Sequence, residues 1–206
     1  MIAWLRRRLG PAPPWDEAVY WALDLETSGL DPARDAILSV GMVPVRRGVV
    51  PWGERFYTLV RPPDGKATAT AATAVHRILP AELAAAPASE EVMAAVDRRL
   101  AGGVLLAHHA RLDVAFLRRA YRRAGHRWPR PPVIDTRDLV RRLEFRLHRL
   151  DPWAAPLPRS LAGIRSHLGL PDYEPHHALA DALATAELFL ALRSRLGIER
   201  PGRLSR

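Results

Sequence analysis

The feature that most constrains this chain is an apolar run, Ala18 to Glu26, broken only by the carboxylates Asp24 and Glu26. Valine, tyrosine, tryptophan and leucine crowded into nine residues predict a buried strand. At i and i+2 on a strand the two carboxylates share one face, and ionised carboxylates are costly to bury without a cation or hydrogen-bond donors. Any fold that accommodates the strand must supply something positive there. Two answers fit: a hard divalent cation such as Mg²⁺, which takes oxygen ligands, or a strand-end ion pair with Arg34 or Arg111.

The rest of the chain predicts a single α/β unit. A turn, Thr27 to Pro32, follows the first strand. Ala36 to Arg47 and Val49 to Val60 are further β-type runs parted by the Arg46-Arg47-Gly48 turn, so three successive strands suggest a meander. A helix is expected from Ser89 to Leu100, with Ser89 as its cap, then a short strand Val104 to Ala107 and a helix carrying Val114, Leu117 and Tyr121 on one face. Val133 to Thr136 reads as a strand running into an Arg-rich helix that ends near Arg149. Two last helices are expected over Ser160–Leu168 and Pro175–Leu196, the second with Pro175 in its first turn. The order β-β-β-α-β-α-β-α-α-α puts helices against a mixed sheet. Residues 1–17 read as a basic, Pro-rich leader, 18–197 as the domain, and 198–206 as a short basic tail. No export signal and no run of about 18 to 20 apolar residues is present, so a cytoplasmic protein without membrane attachment is expected.

Composition narrows the chemistry. The 206 residues contain no Cys, Asn or Gln, which removes disulfides, thiolate metal sites and cysteine nucleophiles. The same bias suits a heat-adapted protein and a GC-rich genome equally. Lys66 is the sole lysine, so the net charge of +9 is almost all arginine. Between Arg111 and Arg149 twelve arginines stand against four acids, a net +8. Such a concentration suits a polyanion, most often nucleic acid, although a solvated helix face has the same composition.

Two further acids stand at similar junctions. Asp113 follows the strand Val104–Ala107 at a helix start, and Asp181 lies in an otherwise apolar helical stretch, where aspartate has poor propensity. His176 and His177 precede it by about one turn. Four acids and a titratable base are what two-metal phosphodiester hydrolysis asks of a protein, and a histidine with a pKa of about 6.5 can take a proton from water at neutral pH. The doubled histidines, His108-His109 and His176-His177, also invite zinc, but adjacent histidines seldom converge on one ion and no thiolate is available.

Three motifs carry a family resemblance: Asp24-Leu25-Glu26-Thr27-Ser28-Gly29-Leu30, Leu106-Ala107-His108-His109-Ala110-Arg111-Leu112-Asp113, and His176-His177-Ala178-Leu179-Ala180-Asp181-Ala182. In order and spacing they resemble the DnaQ-like DEDDh 3′–5′ exonucleases, as do the Val75-His76 step and Asp135-Thr136. The likeness spans about Tyr20 to Leu192. It implies a ribonuclease H-like α/β fold with a mixed five-stranded sheet flanked by helices. It also implies two Mg²⁺ (or Mn²⁺), with Asp24, Glu26 and Asp181 on the ion that binds water, Asp24 also reaching the second, and Asp113 completing that shell. His176 is implied as general base. The tyrosine branch of the superfamily has its phenol four positions before the last Asp, where this chain has His177.

The terminal-nucleotide pocket implied by the resemblance comprises Thr27, Ser28, Gly29, Leu30, His76, His108 and His109. The chain departs from the family at His109, where Asn is usual, and at Arg77, where Gly often follows the histidine. The implied activity is metal-dependent 3′–5′ cleavage of single-stranded or frayed DNA, releasing nucleoside 5′-monophosphates. An exoribonuclease of the ribonuclease T or oligoribonuclease type and a non-catalytic nucleic-acid binder on the same fold are the alternatives. The expected partners are single-stranded 3′ ends, DNA favoured over RNA, with a DNA polymerase or replication protein compatible. Tyr121, Trp128 and Trp153 are candidates for stacking on bases, and also for ordinary packing.

Overall fold

The computed structural model describes residues 14–63 and 76–198. Val75, Lys66 and most of the expected leader and tail lie outside them. Strands β1 (Tyr20–Thr27), β2 (Ile37–Val45), β3 (Phe56–Leu59), β4 (Val104–Ala107) and β5 (Val133–Asp135) form one sheet in the order β3-β2-β1-β4-β5. β1–β2 and β2–β3 pair antiparallel, giving the expected meander, whereas β1–β4 and β4–β5 pair parallel. Among the described residues there are six α-helices: α1 (Pro80–Ala85), α2 (Ser89–Leu100), α3 (Ala110–Arg123), α4 (Thr136–Leu150), α5 (Leu161–His167) and α6 (Ala178–Leu196). Among the described residues no helix is long and apolar enough to cross a membrane.

Alternation along β1 divides the core. Tyr20 and Ala22 pack with Leu139, Val140 and Leu143 of α4 and with Leu188, Phe189 and Leu192 of α6. Trp21 and Leu23 face the other way, onto Val92, Met93 and Val96 of α2 and Phe116 and Leu117 of α3. Each large apolar side chain buried this way contributes roughly 1.5–3 kcal/mol. Asp24 and Glu26 continue the first series, so they lie on the α6 side of the sheet, where β1 has outrun β4: the parallel pairing ends at Ala22↔Leu106. The carboxylates therefore sit at the carboxyl end of the parallel strands, where open α/β sheets form crevices.

Three local expectations are corrected. The run Val49–Val60 is not one strand: Pro51 leads into a 3₁₀ turn at Trp52–Glu54, and only Phe56–Leu59 pairs with β2. α1 was not expected; Pro80 at its first position and the Glu82 carboxylate accepting from the Leu79 N–H, at 2.8 Å, explain it. Pro175 lies outside α6, which begins at Ala178 because His176 is left-handed (φ 64°) and His177 takes the N-cap. Asp181 therefore belongs to the first turn, where the helix dipole and free N–H groups favour a carboxylate. Its place is an N-terminal one, not the mid-helix anomaly that propensity suggested. Trp15, from the expected leader, packs under the Arg193 guanidinium, 3.3 Å from the ring centroid.

Candidate active site

Gly41 determines how the acids meet. It pairs with Asp24 across β1–β2, and a Cβ there would stand 2.2 Å from the backbone of Ala178. Only glycine lets the first residue of α6 press onto the sheet beside Asp24, which brings Asp181 against the β1 carboxylates. A glycine inside a strand is the sequence signal that would have found this approach.

One carboxylate oxygen from each of Asp24, Glu26 and Asp181 lies within 4.8 Å of the other two. Oxygens on opposite sides of one Mg²⁺ are about 4.2 Å apart, at 2.0–2.1 Å from the ion, so small rotamer changes close this set on a cation. No ion pair joins these acids among the described residues; Arg34 instead reaches Asp31, so the strand-end ion pair does not form. Burial, then Asp113, Asp181 and Glu26, push the Asp24 carboxyl well above its usual range. Burial and Asp181 push Glu26 up to about 7. Asp181 is raised by burial, tempered by N–H donation from His176 and His177 and by the nearby imidazoles. Carboxyls that resist ionising beside one another form a donor set that fits hard divalent cations.

Asp113 comes from the first turn of α3 and is also pushed up to about 7, by burial first and then by Asp135 and Glu26. Its position depends on Asp135, which clips two helices together. The Asp135 carboxylate accepts from the N–H groups of His109 (2.9 Å) and Ala110 (3.0 Å) at the head of α3 and of Arg137 (2.9 Å) in α4. A residue marked in sequence only as a strand-to-helix step therefore sets the angle from which Asp113 enters.

The histidines divide by environment. His176 is exposed, and its backbone N–H donates to Asp181 Oδ2 at 2.9 Å. His177 is fixed twice: Nδ1 accepts from Ala180 N–H at 3.4 Å, and the ring stacks on Tyr57 of β3 with centroids 4.8 Å apart. His76 is buried; Nδ1 accepts from Ile78 N–H at 3.1 Å, Nε2 has no partner, and burial lowers its pKa. All three line a cavity of about 460 Å³ with Tyr57 and Glu82, whose rim is tied by the Arg77–Glu174 ion pair. His108 stands apart, with Nδ1 on Thr136 Oγ1 (2.8 Å) and Nε2 on the Arg159 carbonyl (3.0 Å). His109, left-handed (φ 73°), is the N-cap residue of α3. Arg77, His109 and His176 all hold positive φ beside the acids or this cavity, and non-glycine residues in that region cluster where function constrains the backbone.

The turn after β1 is locked from within. Thr27 Oγ1 donates to the Gly29 carbonyl at 2.7 Å, and Ser28 Oγ donates to Asp35 Oδ1 at 3.2 Å while accepting from Ala36 N–H. A Cβ on Gly29 would fall 2.4 Å from the Asp35 carboxylate. Leu30 is left 78% exposed at the tip of the turn. Of the proposed stacking residues, Tyr121 is buried edge-on against Trp128, while Trp153 is 93% exposed.

Comparison with known proteins identifies the family. The profile of the family described as Exonuclease, of the RNase T type, matches residues 21–189. A DNA polymerase III subunit epsilon-like protein of Rhodobacter capsulatus is 37% identical over 87% of this chain and 24% of its own length. A PolC-type DNA polymerase III of Thermotoga petrophila is 30% identical over 89% of this chain and 12% of its own. The chain thus spans a quarter or less of these relatives. E. coli exonuclease I, solved in complex with a dT13 oligonucleotide, superposes with a TM-score of 0.74 over 87% of this chain and 42% of that one, at 20% identity, a likeness of fold. With its five-stranded mixed sheet of ribonuclease H-like type, the chain belongs to the DnaQ-like 3′–5′ exonuclease family.

Proposed function

We propose that this chain is a divalent-metal-dependent exonuclease that removes nucleoside 5′-monophosphates from the 3′ ends of single-stranded or frayed DNA. The observation that carries the reading is the convergence of Asp24, Glu26 and Asp181 oxygens on one point with Asp113 beside them. Two Mg²⁺ or Mn²⁺ ions held there would activate water and stabilise the leaving oxygen. Asp24, Glu26 and Asp181 hold the first and Asp113, with Asp24, the second. His176 accepts the proton of the attacking water, its exposed ring hinged next to Asp181 by its own backbone N–H. His177, held by its cap and by Tyr57, shapes the approach.

The terminal nucleotide lies against Thr27, Ser28, Gly29 and Leu30 and faces the cavity that His76 lines, its Nε2 buried without a partner. His109, the N-cap residue of the helix that carries Asp113, completes the pocket, and His108, with both ring nitrogens engaged, steadies that segment. DNA is favoured because the relatives named above are DNA polymerase III proteins and the solved neighbour carries a DNA oligonucleotide. By the same relatives, a replicative polymerase is the partner class to test.

The deciding assay follows 5′-labelled DNA and RNA single strands with and without Mg²⁺, beside Asp24→Ala. Metal-dependent shortening of DNA from the 3′ end, lost in Asp24→Ala, is expected. Faster shortening of RNA would move the substrate to the exoribonuclease class, and binding without shortening would leave a non-catalytic module. His176→Ala should slow cleavage by orders of magnitude and His177→Ala by much less; the reverse ranking overturns the assignment of the base.

A further inference from the structure

The arginines of the +8 segment are of two kinds. On α4, Arg141 is engaged with Asp138 and Arg146 with the Arg195 carbonyl, and beyond the segment Arg159 pairs with Glu144. On α3 and the loop after it, Arg111, Arg118, Arg119, Arg122, Arg123, Arg127 and Arg130 hold no acid among the described residues. Two of these, Arg119 and Arg123, stand one turn apart and border a cleft of about 60 Å³ together with Arg61, which follows β3. Arg119 Nε is buried without a partner, a cost the fold bears unless an acceptor arrives.

The other walls of the cleft say what arrives. One is the locked turn after β1, through Pro32 and Asp35, so the cleft lies behind the loop that begins at the metal-binding strand and carries Leu30 at its tip. Two acids also border it. Asp35 is turned into its own loop by Ser28 Oγ and the Asp31 N–H, and Glu90 is exposed at the start of α2. The volume is far below the 300–1,000 Å³ of sites for drug-sized ligands, so a base or nucleoside does not fit, whereas a phosphate group does. Guanidinium forks match phosphate oxygens and position a strand without reading its sequence.

We infer that Arg61, Arg119 and Arg123 form a subsite for a backbone phosphate of the substrate strand, upstream of the nucleotide being cleaved. The subsite rests on the proposed exonuclease reading and adds to it a length preference: a strand long enough to run from the acids past Leu30 to α3 places a phosphate there, and a dinucleotide cannot.

The test uses the full chain carrying Asp24→Ala, with Arg119→Ala/Arg123→Ala and, separately, Arg123→Glu, whose exposed position spares the fold. Fluorescence anisotropy is read with dT12 and with pTpT across a salt series. Both variants should weaken dT12 binding about tenfold more than pTpT binding. The logarithmic salt slope for dT12 should shrink by about 0.7 for each phosphate that the variant no longer neutralises. Equal weakening on both lengths, or an unchanged dT12 affinity and slope, would overturn the subsite. Failure of the wild type to shorten any strand would overturn the exonuclease reading instead, and leaves the binding comparison able to decide the subsite by itself.

Discussion

Helix α6 grips charge at two places, and they are built on opposite principles. In its middle, Glu187 meets Arg165, a residue only 2% exposed whose guanidinium donates to the Ala184 carbonyl (2.7 Å), the Pro171 carbonyl (2.6 Å) and Glu187 Oε2 (2.8 Å) while lying over the Tyr173 ring. Tyr173 Oη donates to the other Glu187 oxygen at 2.9 Å. At its N-terminus, Asp181 meets other carboxylates, the His176 N–H and the nearby imidazoles of His176 and His177. The first constellation is complete within the chain and holds α5 and the following loop to α6. The second gathers carboxyls that burial and one another's charge hold above their usual range, with no cationic side chain paired to them among the described residues.

The largest effect should come from neutralising the incomplete constellation. Asp24→Asn is expected to cut cleavage at least ~10³-fold, about 4 kcal/mol of transition-state stabilisation. At pH 8 in EDTA it should raise the thermal midpoint, because it removes a charge that burial and three other acids resist. A midpoint that falls instead would mean the acids are held by donors in the folded chain, and the contrast with Arg165 would fail.

The complete constellation should respond the other way. Arg165→Met strands Glu187 and the two carbonyls, and removing one partner of a buried pair costs about 3 kcal/mol. For a domain of this size that lowers the midpoint by roughly 6–12 °C. Turnover per folded molecule should stay near the wild-type value, read as activity at a temperature well below both midpoints.

These two sites also differ in how legible they were. The acids were visible because of where they stand in the sequence: two in an apolar strand, one just after a short strand, and one among alanines with two histidines before it. The meander of the first three strands and the apolar faces of the helices were legible from the β-type runs and the 3.6 period, whereas the order β3-β2-β1-β4-β5 and the two-sided core were not. Arg165 was invisible because one arginine among 30 has no local mark; its partners lie 6 to 22 residues away and converge only on folding. Asp135 was marked only as a strand-to-helix step, and its role in joining two helices escaped for the same reason, since the N–H groups it accepts from at the head of α3 sit 25 and 26 residues upstream. The misplaced start of α6 came from letting Pro175 nominate the first turn, when the left-handed His176 and the His177 cap set it.

A pH series separates the two kinds of site without a mutation at Asp24 or Arg165. Glu26 and Asp113 are held near 7 in the folded protein, against about 4 for exposed carboxylates. Below about 4 both groups are protonated in folded and unfolded chains alike. Between about 4 and 7 the unfolded chain releases protons that the folded chain keeps, so the site's contribution to metal-free stability falls as pH rises and is gone above about 7. The difference between wild type and Glu26→Gln, measured in EDTA by chemical denaturation, should grow in the variant's favour over that window and then level. Added Mg²⁺ should shrink it, because the ion binds the ionised carboxylates of the folded state alone. A difference independent of pH would show that Glu26 ionises freely.

The smallest effect marks where the contrast ends. Glu144 and Arg159 form an ion pair near the surface: burial raises the Glu144 carboxyl, but Arg159 and the Leu157 N–H more than offset it and leave the pKa lowered. Arg159 is 44% exposed, and exposed pairs contribute about 0–1 kcal/mol. Arg159→Ala should therefore cost under about 1 kcal/mol by urea denaturation, and less still in high salt. The substitution keeps the carbonyl that receives His108 Nε2, so the segment leading to Asp113 should be undisturbed and cleavage should change less than twofold. A loss approaching that of Arg165→Met would mean that this pair, too, is closed off from water and belongs with the complete constellation.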